Sequence, residues 1–359
     1  MYYIFESFDS FIVSKCISMS FITSLISVFS IIISKLRISC LKLVHQIKRL
    51  MSRPQKRLTT YNTPTAGRNL YKNGLDNLGN TCFMNSSLQA LYAIEGFREY
   101  SLNTKCSKPI HQSISKLFQT MNTNRGQNSV DPTDFRNTFA EYKSEFGDYC
   151  QHDSQEFIRF LIDGIHEEYN ASKDWEDLGE DVLKRIFVGK FKSIIKCSKC
   201  ENESNSLEEF WDISVALPQN KDECHLIQCL NNYTKSEILD TDSKCDKCKQ
   251  LTKFSKRIDF QVMPLVLMIH LNKFGNNGQK CCKQMKIPEK LLIKSIEFCL
   301  ISLISHRGRS SSSGHYINHS KHSDLWYLFD DEKVCEIQEL DSNVMSGAYI
   351  LFYQKSFAN

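Results

Sequence analysis

The sequence predicts an α+β protein with a helical first part, a strand-rich second part and a metal-bearing subdomain. Three observations predict it. Apolar residues between 84 and 165 recur at helical spacing. Beyond Arg185 they gather in short strand-like runs. Two Cys-x-x-Cys pairs, Cys197/Cys200 and Cys245/Cys248, fall among those runs.

Residues 16–34 form an uncharged apolar run followed by a basic flank from Lys35 to Arg57. The run is nearly long enough to span a bilayer, and a span would leave the basic flank and everything after it in the cytosol. Seven Ser and Thr residues dilute it, so a membrane anchor and a buried or untranslated stretch ahead of Met51 both fit. A cleaved signal peptide fits less well, because Glu6 and Asp9 precede the run and no small-x-small site follows. Residues 52–73 are polar, carry Pro54, Pro64 and Gly67, and read as a linker. Residues 1–66 are therefore an N-terminal extension, with the globular domain over 67–359.

Within that domain Met84, Leu88, Leu91 and Tyr92 share one helix face. So do Phe135, Phe139 and Tyr142, after the helix start Asp131-Pro132, and then Phe157, Phe160, Leu161 and Ile165. Strands are expected at Ile194 and Ile195 leading into Cys197, and at 265–271, 298–304, 325–329 and 348–353. The serine tract 310–313 reads as a loop, and the stretch 307–313 as a gate beside the site. No internal repeat is present.

The chain has 359 residues, 41% apolar and 24% charged, which is ordinary for a folded protein. Its net charge of +4 comes largely from residues 35–72, so no nucleic-acid footprint is implied. Fifteen cysteines, an odd count with four in paired knuckles, favour a reducing compartment and a metal over disulfides.

Chemistry concentrates in Gly74-Leu75-Asp76-Asn77-Leu78-Gly79-Asn80-Thr81-Cys82-Phe83-Met84-Asn85, where a cysteine follows a Gly/Asn turn at the first turn of a helix. Backbone N–H groups and the partial positive charge there favour a thiolate and can hold an oxyanion. Asn77 can offer a second donor. A turn capping an ordinary helix with a buried cysteine fits the same letters.

A base for such a thiol is available in Gly314-His315-Tyr316, followed by Trp326 to Asp331. A hairpin centred between His322 and Ser323 sets His315 opposite Asp330 on one face and turns Asp331 to the other. A surface hairpin with a histidine and an acidic turn is the plain alternative. His270 reads as a packed core histidine, and His306 as the end of a strand. In Gln151-His152-Asp153-Ser154-Gln155-Glu156-Phe157, Asp153 caps a helix to which Glu156 reaches back.

These segments resemble the ubiquitin-specific protease family, whose nucleophile motif Gly-Leu-x-Asn-x-Gly-x-Thr-Cys-Tyr/Phe-x-Asn-Ser is matched from Gly74 to Ser86. Gly-His-Tyr, Trp-Tyr-x-Phe-Asp-Asp and the closing run 348–353 match further motifs in order. The resemblance covers roughly 67–353. It implies a papain-like cysteine protease with a helical thumb (about 67–185), zinc-ribbon fingers (about 186–257) and a β-rich palm (about 258–359). Carried over by position, Cys82 is the nucleophile, Asn77 the oxyanion donor, His315 the base and Asp330, or else Asp331, its orienting acid. Asp153 and Glu156 become contacts to arginines near the ubiquitin tail.

The paired spacing of Cys197, Cys200, Cys245 and Cys248 suits a structural zinc, with no catalytic cofactor. The long gap between knuckles is spanned if strands such as 207–217 run out and back. Partners are then ubiquitin and ubiquitinated proteins, no nucleic acid, and a membrane only through 16–34, with the enzyme cytoplasmic or tethered facing the cytosol. Three features depart from the pattern: His319 in an aromatic position, Asn272-Lys273 in place of a basic pair, and a short 275–297 stretch. A protease for another ubiquitin-like modifier and an inactive ubiquitin-binding scaffold are the rival functions.

Overall fold

A computed structural model describes residues 72–356 apart from 105, 125–128, 172–180, 219–222, 275–279, 282 and 311–312. The apolar run 16–34 and nearly all of the expected linker lie outside the described residues. No helix among the described residues is long and apolar enough to cross a membrane.

Helices come first: α1 Cys82–Ala93, α2 Glu95–Asn103, α3 Pro109–Thr123, α4 Thr133–Tyr142, α5 Ser154–Ala171 and α6 Val182–Phe187. Next are β1 Gly189–Cys197, β2 Glu203–Phe210, β3 Ile213–Ala216, β4 Glu223–His225 and helix α7 Leu226–Thr234. The short β5 Glu237–Ile238, β6 Ser243–Lys244 and β7 Leu251–Thr252 precede β8 Phe254–Val262 and β9 Val266–Asn272. Then come β10 Gln284–Lys286, β11 Lys290–Ile293, β12 Ile296–Ser310, β13 Ser313–His322, β14 Leu325–Asp330 and β15 Lys333–Ile337. Helix α8 Ser342–Gly347 leads into β16 Ala348–Lys355.

The large sheet runs β15-β14-β13-β12-β16-β9-β3, with β11 added on β12. Its interior strands read as near-continuous apolar runs because both faces are covered. Met268, Ile350 and Phe352 face the helical core with Leu88, Phe157 and Tyr316. Their neighbours Leu267, Ile269, Leu351 and Tyr353 face a second core with Leu226 and Phe260. This is the two-residue alternation of a strand. Helix α1 lies against β13 and β12, which brings the start of the helix to the sheet.

A second sheet, β2-β1-β8-β5, carries the first cysteine knuckle at the end of β1, and the separate hairpin β6-β7 carries the second. The stretch expected to run out and back between them is split. β2 returns antiparallel along β1, but β3 leaves to pair in parallel with β9. Ile213 and Val215 on β3 are fully buried, and that burial holds the strand to the large sheet.

The serine tract is also not a free loop at its ends, since Ser310 pairs with Ser313 across the β12–β13 hairpin. The β13–β14 turn is centred one residue later than expected. His322 faces Leu325, and the two turn residues Ser323 and Asp324 have φ of 50° and 68°, as a tight hairpin turn requires.

One glycine decides how the two halves meet. A Cβ on Gly74 would lie 2.2 Å from the Glu332 carbonyl oxygen and 2.6 Å from that of Asp331. The turn after β14 thus packs backbone to backbone on the segment leading to Cys82, and Leu75 N–H donates to the Asp331 carbonyl at 2.9 Å. Gly74→Ala should cost about 1–3 kcal/mol by overpacking, read as a lower urea midpoint at unchanged slope. An unchanged midpoint would show that this contact does not form in solution.

Candidate active site

Cys82 is the first residue of α1 and is buried. The Asn77 and Thr81 side chains hold the loop before it. Asn77 Oδ1 accepts from the N–H groups of Gly79 at 3.0 Å and Thr81 at 3.2 Å, while Gly79 and Asn80 take positive φ. Thr81 stands at the N-cap yet makes no cap bond to the helix. Its hydroxyl turns back, accepting from Leu78 N–H at 2.9 Å and donating to Asn77 Oδ1 at 3.3 Å. The first N–H groups of α1, that of Cys82 among them, have no acceptor inside the helix. An uncapped helix start is what a site that receives an oxyanion requires.

His315 lies on β13, facing that start. Its Nε2 is 2.6 Å from Asp330 Oδ1, and Cys82 is the strongest influence on the protonation of the ring. The neighbouring Cys82, then the bond to Asp330, pushes the imidazole pKa up to about 9, against the opposing effect of its partial burial. Asp330 lies beside His315 as the hairpin reading expected, reached by a different geometry. With the turn shifted, regular pairing ends at Asn318 and Phe329, so His315 and Asp330 meet as diagonal rather than opposed residues. Both stay on one face because the shift moves partners by two.

Asp331 turns the other way. With φ 49° it opens the turn after β14, and its side chain is 7% exposed. Oδ2 accepts from Asn77 Nδ2 at 2.7 Å and Oδ1 from Asn85 Nδ2 at 2.8 Å, while His315 Nε2 is 3.9 Å away. Burial pushes its carboxyl above the usual carboxylate range, and the Asn85 and Asn77 amides pull the other way. Asn77 itself is exposed, and Glu332 Oε1 accepts from its backbone N–H at 2.7 Å. One amide hydrogen of Asn77 is spent on Asp331; the other is left for a ligand.

Gln151 is a residue whose role the sequence did not reveal. Its Nε2 donates to the Gly314 carbonyl at 3.1 Å and its Oε1 accepts from Gly314 N–H at 3.0 Å. The segment before α5 therefore grips the residue before His315. Asn85 was equally unread. Both stand in the quoted motifs, yet only the tertiary contact shows what they hold.

Asp153 caps α5 as expected, its Oδ1 accepting from Gln155 N–H at 2.7 Å and Glu156 N–H at 3.3 Å. Its Oδ2 accepts from the Tyr349 hydroxyl on β16. Asp153 and Glu156 line a cavity of about 570 Å³ with Arg159, Phe160, Trp211 and Met268. His152 pairs with Asp148 at 2.7 Å. His270 lies on core strand β9, 3.0 Å from Ser214 Oγ, and burial lowers its pKa. His306 is buried within β12 and pushed down to about 4 by that burial.

Remote from these groups, the ligand atoms of Cys197, Cys200, Cys245 and Cys248 lie within 4.8 Å of one another. The two knuckles repeat each other. Cys197 and Cys245 each draw backbone N–H groups from the second cysteine of their pair, which lowers both thiol pKa values. Glu201 and Lys249, each one residue past a pair, share positive φ of 56° and 59°. A tetrahedron with metal–sulfur bonds of about 2.3 Å sets sulfurs ~3.8 Å apart. The 3.6 Å between Cys200 and Cys245 fits such a metal.

Residues 73–353 match the family profile described as ubiquitin carboxyl-terminal hydrolase. The chain belongs to this family. It is 32% identical over 329 residues to ubiquitin carboxyl-terminal hydrolase Usp2 of Drosophila melanogaster, covering 79% of this chain and 35% of that one. To ubiquitin carboxyl-terminal hydrolase 2 of Gallus gallus it is 32% identical, covering 78% and 92%. Its match to the Homo sapiens protein of that name is 29%, covering 78% and 54%. The chain thus spans about a third of the fly relative and about half of the human one.

Among solved structures, the SAGA DUB module of Ubp8, Sgf11, Sus1 and Sgf73 bound to monoubiquitin has a chain that matches with TM-score 0.71 at 27% identity, covering 84% of this chain and 73% of that one. The same module bound to ubiquitin aldehyde matches at 0.68 and 27%, covering 80% and 70%. The chain carries the ubiquitin carboxyl-terminal hydrolase domain of this family, with its mixed helix-and-sheet architecture.

Since Asp330 favours the charged form of His315, its loss should lower the ring's titration point. In Asp330→Asn the His315 ring, followed by carbon NMR of labelled histidine, should titrate below the value of about 9 and closer to the ordinary 6.5. A ring that still titrates at the wild-type value would remove Asp330 from its role.

Proposed function

We propose that the chain hydrolyses the isopeptide or peptide bond after the C-terminal glycine of ubiquitin, with Cys82, His315 and Asp330 as its catalytic groups. The observation that carries this reading is the grouping of Cys82, first residue of α1, with a His315 ring whose protonation it governs and whose Nε2 lies 2.6 Å from Asp330 Oδ1. The order is that of an activated nucleophile, its base and an orienting acid.

The Cys82 thiolate attacks the carbonyl carbon of the terminal glycine, and the carbonyl electrons move to oxygen. The free amide hydrogen of Asn77 and the N–H at the start of α1 receive that oxyanion. When the tetrahedral species collapses, the C–N bond breaks and the His315 imidazolium gives its proton to the departing lysine amine. Water then gives a proton to His315 as it attacks the thioester, the C–S bond breaks, and ubiquitin leaves with a free carboxylate. Asp331 has a different part from Asp330: it holds the Asn77 amide.

The solved relatives carry ubiquitin or its aldehyde, which supports ubiquitin and ubiquitinated proteins as partners here. Asp153 and Glu156 give the 570 Å³ cavity a negative wall suited to arginine side chains of an incoming tail. The four sulfurs suit a structural zinc, which would stiffen the knuckles and leave the chemistry to the thiol. A reaction that needs a free thiol suits a reducing compartment, so we propose a cytosolic enzyme, with residues 16–34 a candidate tether to a membrane.

Ubiquitin bearing a C-terminal electrophile should form a covalent adduct with the wild-type chain and none with Cys82→Ala. Absence of a wild-type adduct, or capture by a related modifier in preference to ubiquitin, would overturn the reading. Asn77→Ala should lower kcat on the order of 10²-fold with little change in KM. A kcat within error of wild type would remove Asn77 from its role. Elemental analysis should find one zinc per chain, lost in Cys245→Ser with a lower unfolding temperature. A metal-free wild-type chain of normal stability would contradict the structural role.

A further inference from the structure

Arg307 has no part in the chemistry above, yet it stands among the charges that set it. In the β12–β13 ladder it pairs directly with His315. From there its Nη1 reaches Asp330 Oδ2 at 3.4 Å, while His315 Nε2 holds Oδ1 of the same carboxylate at 2.6 Å. One carboxylate therefore lies between two cationic groups on neighbouring strands.

Local backbone geometry favours this arrangement. Regular pairing breaks just after Arg307, where the ladder skips to Ser310 and Ser313. Gly308 turns there at φ 143°, and a Cβ would lie 2.6 Å from the Ser313 carbonyl oxygen. Bulges of this kind beside an active site re-aim a neighbouring side chain.

We propose that Arg307 is a positioning residue for the hydrolysis: it pins the second oxygen of Asp330 and sets a fixed positive charge beside the His315 imidazolium. The inference rests on the cysteine hydrolase reading. The groups that face His315 are Cys82 from α1, Asp330 and Asp331 from the end of β14, and His306 and Arg307 from β12. Behind His306 stand Lys280 and Lys273, and burial keeps that imidazole neutral down to about 4. Arg307 is thus the cation that shares His315's own carboxylate.

Its two effects have opposite signs. Pinning Asp330 keeps the carboxylate in the orientation His315 needs. The guanidinium charge, in turn, opposes the imidazolium and trims the pH range over which it persists. In a half-exposed site this second effect amounts to roughly half a pH unit.

The test is the pH dependence of kcat/KM toward ubiquitin with a fluorogenic leaving group, for wild type, Arg307→Ala, Arg307→Lys and Arg307→Glu. At low ionic strength the alkaline limb of Arg307→Ala should move up by about half a unit and that of Arg307→Glu by about one. In both, kcat should fall several-fold with KM held, and Arg307→Lys should restore the wild-type limb. The displacement should shrink in about 1 M salt, where the screening length is about 3 Å.

Limbs of Arg307→Ala and Arg307→Glu that overlie wild type would overturn the proposal. So would a change confined to KM, which would make Arg307 a substrate contact. The His315 ring titration by NMR reports the same displacement without turnover. A wild-type chain that fails to cleave ubiquitin would therefore defeat the hydrolase reading while the ring still decides the role of Arg307.

Discussion

The site depends on one buried carboxylate. Asp331 receives the Asn77 amide from the loop before Cys82 and the Asn85 amide from inside α1, at 2.7 and 2.8 Å. These bonds fasten the turn after β14 to the helix that carries the thiol. The close approach at Gly74 and the Leu75-to-Asp331 backbone bond complete the joint. Because a buried carboxylate without partners is costly, the two amides and the acid specify one another, and with them the distance between helix and sheet.

From that joint follows a division of labour between consecutive residues. Successive side chains at a strand end point to opposite faces. Asp330 turns to His315 and stays partly solvated; Asp331 turns inward and is nearly sealed. In the proposed hydrolysis, one neighbour serves the proton chemistry and the other the oxyanion side. Gln151 ties the second seam, from the start of α5 to the residue before His315, so the His315 backbone is fixed from the helical part as well as from its own sheet. Thr81, by declining to cap α1, leaves the first N–H groups open where the proposed oxyanion would form.

Much of this was legible in the letters, for identifiable reasons. The helix faces at 84–92 and 157–165, and the strands at 265–271 and 348–353, are strongly periodic or uniformly apolar, and burial enforces both patterns. Cys82 and the paired cysteines are local motifs whose chemistry depends on short spacing. His315 and Asp330 were found together despite a misplaced turn, because a two-residue slip between partners preserves the face. Ser323 and Asp324 adopt left-handed conformations that neither residue type demands, so the turn centre was not readable.

What was not legible is long-range. Nothing in the run 207–217 announces that its first half stays with β1 while Ile213 and Val215 join the edge of the other sheet. Helices α2 and α3 were not singled out, although α3 buries Ile110, Ile114, Leu117, Phe118 and Met121 at helical spacing; α2 packs on α1 and α3, and α3 on α4 and α5. Asn77 could be read as an oxyanion donor, yet its Oδ1 bonds to Gly79 and Thr81 and its tie to Asp331 needed the fold.

The most direct measurement of this division is the pair kcat and His315 ring titration in Asp331→Ala. The ring should still titrate near the wild-type value of about 9 while kcat falls, because the loss lies on the Asn77 side. A ring that drops to its ordinary value on loss of Asp331, with kcat following it, would make Asp331 the orienting acid and contradict the structure's assignment of the two aspartates.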